Sequence, residues 1–254
     1  MTGNTPRALA MGLERRPAPE TDAEGFAGFA VLALPFTLGD VLAFRRVTAS
    51  SIGPGCTSVW HRDRRGRWTV FVDGDPHRSC PRYYGAGLAR TVRAGIGLEW
   101  TGPRSLAITV PDEQIDWAIR LEARASTRAW NGLARLIPRP VFRAPGPSVL
   151  LGALAGWMLG TPPLQLRGRV PNGQWLAMRP SRLWAATASA AVVGGRDLGP
   201  MGPHPDGVYL GDLRLPDRPL FMAGEWLYEP FDPERHQRVM VGAPDPGLRL
   251  RRRA

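Results

Sequence analysis

Residues 92–122 read VRAGIGLEWTGPRSLAITVPDEQIDWAIRLE. Apolar residues recur at every second position: Val92, Ala94, Ile96, Leu98 and Trp100, then Leu106, Ile108 and Val110, then Ile115, Trp117, Ile119 and Leu121. Successive side chains of a strand point to opposite faces, so this period predicts strands buried on one side. The opposite positions hold Arg93, Glu99, Asp116, Arg120, Glu122 and Arg124. Thr101-Gly102-Pro103 and Pro111-Asp112-Glu113 interrupt the alternation with turn formers. The stretch predicts a three-stranded antiparallel meander, apolar on one face and wet on the other.

Two hairpins flank it. Cys56 to Asp73 reads as strand, turn at Asp63-Arg64-Arg65-Gly66, strand. Leu164 to Met178 reads likewise around Asn172-Gly173, a pair that tolerates the positive φ angles of a two-residue turn. Gly66 with Trp68, Gly173 with Trp175 and Gly224 with Trp226 repeat a Gly-x-Trp signature, which suggests two related β lobes.

Between the hairpins the period changes. Thr127 to Ile137 fits a short helix stopped by Pro138 and Pro140. Pro147 opens a second helix through Val149, Leu150, Leu151, Leu154, Trp157 and Met158. It is apolar all round, so protein must bury it or a bilayer surface must accept it. Gly152, Gly156 and Gly160 form a small-residue stripe that permits close backbone approach. About 14 residues make about 21 Å of helix, short of the ~30 Å hydrocarbon core. The expectation is a buried helix lidding the β lobes, with an interfacial membrane segment (147–160) as the alternative.

The organisation expected is a polar, mobile segment over 1–25, a first β lobe over 26–126, a helical insertion over 127–161, a second β lobe over 162–230 and a basic flexible tail over 231–254. Thirty Gly and 26 Pro suit many short strands joined by turns.

Composition excludes more than it assigns. The net charge is +11, yet the chain has no lysine, so all 33 cations are Arg. Schiff-base catalysis needs an amine and the phosphate-binding P-loop needs its lysine, so both classes are excluded. The all-Arg, Ala/Gly/Pro-rich usage fits a GC-rich genome, and part of the charge lies in Arg249, Arg251, Arg252 and Arg253, so the basicity does not imply nucleic-acid binding. Two cysteines, Cys56 and Cys80, and four scattered histidines, His61, His77, His204 and His236, give no metal-ligand spacing. No nucleotide, nicotinamide or metal motif is visible, so no cofactor is expected. Glu20, Asp22 and Glu24 precede the apolar run Phe26–Phe36, unlike a signal peptide. That run is too short to span a bilayer, and a cytoplasmic protein with reduced thiols is expected.

The densest polar stretch runs from Ser50 to Asp63. On a strand, Ser58 and Trp60 share one face while Thr57, Val59 and His61 share the other. His61 is the candidate general acid or base, against the plainer reading of a strand-end histidine bonded to a neighbour. Asp63 suits the first position of a turn. Cys80 with His77 is a conceivable nucleophile pair, but structural packing is the simpler account. Glu99 and Asp116, flanked by Arg93 and Arg120, offer acid/base chemistry if their face lines a cavity, and cross-strand ion pairs if it is wet. Tyr83 completes the polar candidates. Trp60, Trp68 and Trp117 are the candidate cavity walls, with Arg45 as a candidate ligand contact.

Several segments resemble an actinobacterial family of uncharacterised proteins: Ser50 to Arg62, Gly66-Arg67-Trp68, Cys80-Pro81-Arg82-Tyr83, Trp100-Thr101-Gly102-Pro103, Gly168 to Gln174 and Gly195 to Pro200. The order of meander, helical interruption and second β region is similar to the lipocalin-like hydratase group, which includes carotenoid 1,2-hydratase-type and AttH-type proteins. That resemblance implies a mainly β fold, either an antiparallel lipocalin-like (calycin) barrel or two β lobes with a helical insertion. It also implies a cofactor-independent tailoring enzyme (hydratase, isomerase or cyclase) holding a hydrophobic small molecule in its cavity. A non-catalytic carrier of such a ligand is the first alternative. A peripheral membrane or partner-binding protein is the second, and oligomeric state stays open.

Overall fold

The computed structural model describes residues 5–204 and 206–237. Of the expected flexible tail over 231–254, residues 238–254 lie outside the described residues, while His236 is buried and bonded to Glu229 at 3.0 Å. Fourteen strands are described. The first eight are β1 (Glu24–Pro35), β2 (Val41–Ser50), β3 (Cys56–Arg62), β4 (Trp68–Val72), β5 (Arg90–Arg93), β6 (Gly97–Gly102), β7 (Ser105–Val110) and β8 (Ile115–Glu122). After the helices come β9 (Arg167–Arg169), β10 (Trp175–Val193), β11 (Arg196–Asp197), β12 (Tyr209–Leu210), β13 (Leu213–Arg214) and β14 (Leu220–Tyr228). The helices are α1 (Pro6–Leu13), α2 (Pro81–Tyr84), α3 (Ala125–Leu133), α4 (Arg139–Arg143) and α5 (Pro145–Leu159).

Twelve strands form one sheet in the order β5-β4-β3-β2-β1-β14-β10-β8-β7-β6, with β9 and β11 paired to the long β10. Among the described residues every pairing is antiparallel except β4 with β5. The chain is therefore mainly β, a curled half-barrel. One continuous sheet replaces the two-lobe alternative, because β1 pairs with β14 across almost the whole sequence. The three Gly-x-Trp pairs are not equivalent. The Trp68 indole donates to the Tyr209 carbonyl, Trp175 lies under Arg167, and Trp226 is fully buried.

The sheet has a core on each face. The concave face gathers Phe29, Val31, Phe44, Val59, Phe71, Leu106, Ile108, Trp117, Ile119 and Phe221. The convex face of β1–β4, β10 and β14 gathers Phe26, Ala43, Trp60, Trp68, Met222, Trp226 and Tyr228 under the helices. Bulges keep long strands in register with both cores. In β1 the odd residues Phe29 and Val31 face the concave core, and after the irregularity between Val31 and Leu34 the even residues Leu34 and, just past the strand, Phe36 do so. One extra residue flips the alternation, which is what a bulge does.

The alternation of 92–122 faces the concave core as the sequence predicts, but its first strand is broken. Val92 belongs to β5 at one end of the sheet and Leu98 to β6 at the other. Ala94 to Ile96 carry the chain between the two edges while pointing into the same core. Periodicity cannot report such a break, because the inward side never changes. The N-terminal polar segment also contains more structure than expected. Thr5 caps α1 and Pro6 opens it. Ala10 and Leu13 close one end of the concave core, and Glu14 pairs with Arg46 at 2.9 Å.

The helical insertion packs on the convex face. Asn131 of α3 donates to the Leu183 carbonyl at 2.9 Å and accepts from the Leu183 amide at 2.7 Å, docking the helix beside the bulge in β10. The inner face of α5 is set by two glycines. A Cβ on Gly152 would lie 2.1 Å from the Leu164 carbonyl oxygen, and one on Gly156 2.6 Å from that of Pro162. Those contacts fulfil the close approach that the small-residue stripe implies. Only one side of α5 is covered, however: Leu151, Ala155 and Leu159 are buried while Leu150 and Trp157 are exposed. No helix among the described residues is long and apolar enough to cross a membrane.

Candidate functional site

A cavity of about 70 Å³ lies on the convex face, between the sheet and the segments 164–166 and 210–216. Its floor is β1–β3, β10 and β14, through Ala30, Ala43, Trp60, Leu176, Met178 and Met222. Its roof is Leu164, Leu166, Leu210, Leu213 and Leu215. Trp68 and Tyr84 close one side. Gln165 and Arg214 stand at the rim and also line an outer groove of about 300 Å³ that includes Val149 of α5.

One charged side chain sits deep in this apolar setting. Arg45 is in mid-β2, on the same side as Ala43 and Val47, so strand parity points it at the convex core. Its Nη1 donates to Tyr228 Oη at 3.1 Å and to Cys80 Sγ at 3.5 Å. Its guanidinium lies over the Trp226 ring at 4.8 Å and the Tyr84 ring at 5.7 Å. Among the described residues no carboxylate pairs with it, and both hydrogen bonds leave from one nitrogen. Protein surrounds the residue, yet part of its surface stays accessible. Arg45 is one of the residues that line the cavity. An arginine stays charged at any physiological pH. A buried charge without a counter-ion is costly, and ring quadrupoles return only part of that cost.

The neighbours of Arg45 are fixed by hydrogen bonds. Tyr84 and Tyr228 share a hydroxyl contact of 3.0 Å. Trp60 donates through its indole to Ser58 at 3.0 Å, and Ser58 donates to Cys80. The Tyr228 ring stacks on Tyr83 with centroids 3.8 Å apart. Burial, reinforced by the adjacent Tyr84, pushes the Tyr228 phenol well above its ordinary range. Burial likewise raises the Cys56 thiol, with the neighbouring Cys80 adding to it. Neither group yields a proton near neutrality.

The structure brings Arg45, Trp60 and Trp68 together at the cavity and puts the other sequence candidates elsewhere. Trp117 is in the concave core, its indole donating to Ser189 at 2.9 Å. Glu99 and Asp116 are exposed on the wet face of β6 and β8. Tyr83 is buried behind the cavity and donates to Glu24, which also takes Arg82. Burial first and this carboxylate second push the Tyr83 phenol upward. His61 lies at the end of β3, bonded to Asp40 at 2.9 Å. Asp40 is fully buried and takes three partners: Arg196 through both carboxylate oxygens at 2.9 Å, Arg64 at 3.1 Å, and His61. Burial alone would raise the Asp40 carboxyl, but the hydrogen bonds from Arg196, His61 and Arg64 outweigh it and hold the pKa at about 2. Asp40 is absent from the sequence candidates because nothing in Leu38-Gly39-Asp40 marks it. Its partners are 21, 24 and 156 residues away. Tyr228 and Tyr84 were likewise not singled out, and only strand parity and the loop fold aim them at Arg45.

Neither a protein-family model nor a curated protein matches this sequence. Among solved structures the chain is similar to acetoacetate decarboxylase from Legionella pneumophila subsp. pneumophila, at 11% identity over 82% of this chain and 85% of that one, with a TM-score of 0.37. A superposition that loose carries no argument about the site.

Proposed function

We propose that this chain binds a small apolar carboxylic acid, with its carboxylate on Arg45 and its hydrocarbon part against the leucines and methionines of the convex cavity. The observation that carries this reading is a guanidinium with no carboxylate partner among the described residues, on a residue that lines a mostly apolar cavity. Arginine presents a planar fork that matches a carboxylate, and two of its three nitrogens carry no hydrogen bond among the described residues. An anionic ligand would supply the counter-charge that the fold omits.

The lining favours carriage over a hydratase, isomerase or cyclase. Among the described residues the wall contains no His, Asp or Glu. Acid/base chemistry needs a group that exchanges protons near the operating pH, but Arg45 stays charged through its partners despite burial, and burial keeps Tyr228 protonated. Size narrows the ligand further. Drug-sized sites measure roughly 300–1,000 Å³, so a space of about 70 Å³ does not enclose a polyketide or terpenoid skeleton. A short acyl chain fits inside, and a longer one would emerge past Gln165 and Arg214 into the outer groove.

The test is calorimetric titration of straight-chain acids from butanoic to decanoic against alcohols of equal length. Hydrogen bonds to a charged group contribute roughly 1.5–3 kcal/mol, so the acids should bind at least about tenfold more tightly. Equal binding of acids and alcohols, or none of either, overturns the proposal.

A further inference from the structure

Among the described residues nothing covers the outer face of α5. Trp157 is 79% exposed, Leu150 74% and Val149 69%, with Leu154 beside them. Val149, Leu150, Ala153, Leu154 and Trp157 form one stripe at helical spacing, and the sole polar side chain of the helix, Ser148, is buried. The inner glycines pack against backbone, so rotating the helix to bury this stripe would drive side chains into Leu164 and Pro162. An apolar face held outward in this way needs a partner.

Charge identifies the partner. Between Glu122 and Asp197 the sequence has ten Arg and no Asp or Glu. Exposed Arg135 and Arg143 sit on the segments leading into α5, Arg167 lines the groove beside Val149, and the Arg218 guanidinium lies against Gly160 at the far end. None of these four pairs with a carboxylate among the described residues. Arg139 and Arg214 are spoken for by Glu225 and Asp217. A second copy of the chain would bring arginine against arginine. An anionic bilayer offers acyl chains beneath negative headgroups, which suits an apolar stripe rimmed by cations and bearing a tryptophan.

We infer that α5 docks on anionic membrane surfaces, lying in the interface with Leu150, Leu154 and Trp157 among the acyl chains and Arg135, Arg143, Arg167 and Arg218 at headgroup level. Val149 belongs both to this face and to the groove outside the Arg45 cavity, so the groove opens at the bilayer. The docking itself does not depend on what the cavity holds.

Flotation of the full chain with vesicles of phosphatidylcholine alone, and with about a third phosphatidylglycerol, tests it. Binding to the anionic vesicles should be at least about tenfold stronger and should fall as salt rises. The double variant Leu150→Glu/Trp157→Glu should lose at least about tenfold in that binding while melting as the wild type does, since both side chains are exposed. Arg45→Met should still float with the vesicles, which separates this surface from the cavity. Absence of wild-type binding, or a double variant that binds as well as wild type, overturns the inference. A concentration-dependent dimer that the double variant abolishes also overturns it, because the face would then belong to a second copy.

Discussion

Arg45 and Tyr228 are 183 residues apart, yet Nη1 of the first donates to Oη of the second at 3.1 Å on the convex face of the sheet. The pairing satisfies one guanidinium nitrogen and leaves the charge unneutralised among the described residues. A fold selected for stability alone gains little from a cation there, because replacing buried charge by apolar volume is often neutral or stabilising.

Arg45→Met therefore tests stability and binding together. The ligand-free variant should melt at or above the wild-type temperature, with a gain of up to about 1–4 kcal/mol. Its affinity for apolar acids should fall by at least about tenfold. Loss of several kcal/mol in the ligand-free variant would instead make Arg45 a structural residue. Differential scanning calorimetry with and without ligand separates the two.

Asp40 gives an acid limb to stability. Its pKa is about 2 in the folded chain against an ordinary value of 3.8. A depressed carboxyl stabilises the fold above its unfolded pKa, and that contribution is lost as pH falls through the folded one. The window is pH 3.8 down to about 2. Allowing for solvent screening of the half-exposed Arg64 and Arg196, the loss is about 1–2 kcal/mol. Urea unfolding across that range should show the decline in wild type.

Asp40→Asn should cost about 1–2 kcal/mol at neutral pH, as protonation does, because it leaves Arg196, Arg64 and His61 around a neutral group. His61→Ala should cost less and leave acid binding intact, since His61 does not line the cavity. Binding lost with His61 while the melting temperature holds would return that residue to the site.

Tyrosine ionisation offers a check that needs no mutation. The chain has four tyrosines, and Tyr83 and Tyr228 are both raised by burial. Spectrophotometric titration of the folded protein should find those two silent near pH 10, their signal emerging only with alkaline unfolding. Tyr83→Phe should then remove one of the silent pair and cost about 1 kcal/mol through the lost Glu24 contact.

Gly156→Ala should destabilise by about 1–3 kcal/mol, because its methyl group meets the Pro162 carbonyl rather than a movable side chain. Ala153→Gly on the open side of the same helix should cost about 1 kcal/mol at most. A thermal melt of each variant reads the contrast between the two faces.

By itself the sequence determined the β class, the inward face of residues 92–122, the two hairpins, and the presence of an apolar helix before Gly160. These follow from local rules: a period of two, turn chemistry and helix-stop residues act over a few positions. The absence of lysine was equally legible, and it excluded whole classes of chemistry. Tertiary structure decided what Arg45 and His61 touch. Parity shows that Arg45 shares a side with Ala43 and Val47, but not whether a carboxylate waits opposite. That depended on β14 delivering Tyr228 and on α2 delivering Cys80 and Tyr84. His61 drew Asp40 and, through it, Arg196 from a strand 156 residues beyond that carboxylate. Charge compensation acts through space between segments joined only by long-range pairing, so a one-dimensional pattern names the ion and leaves its partner to the fold.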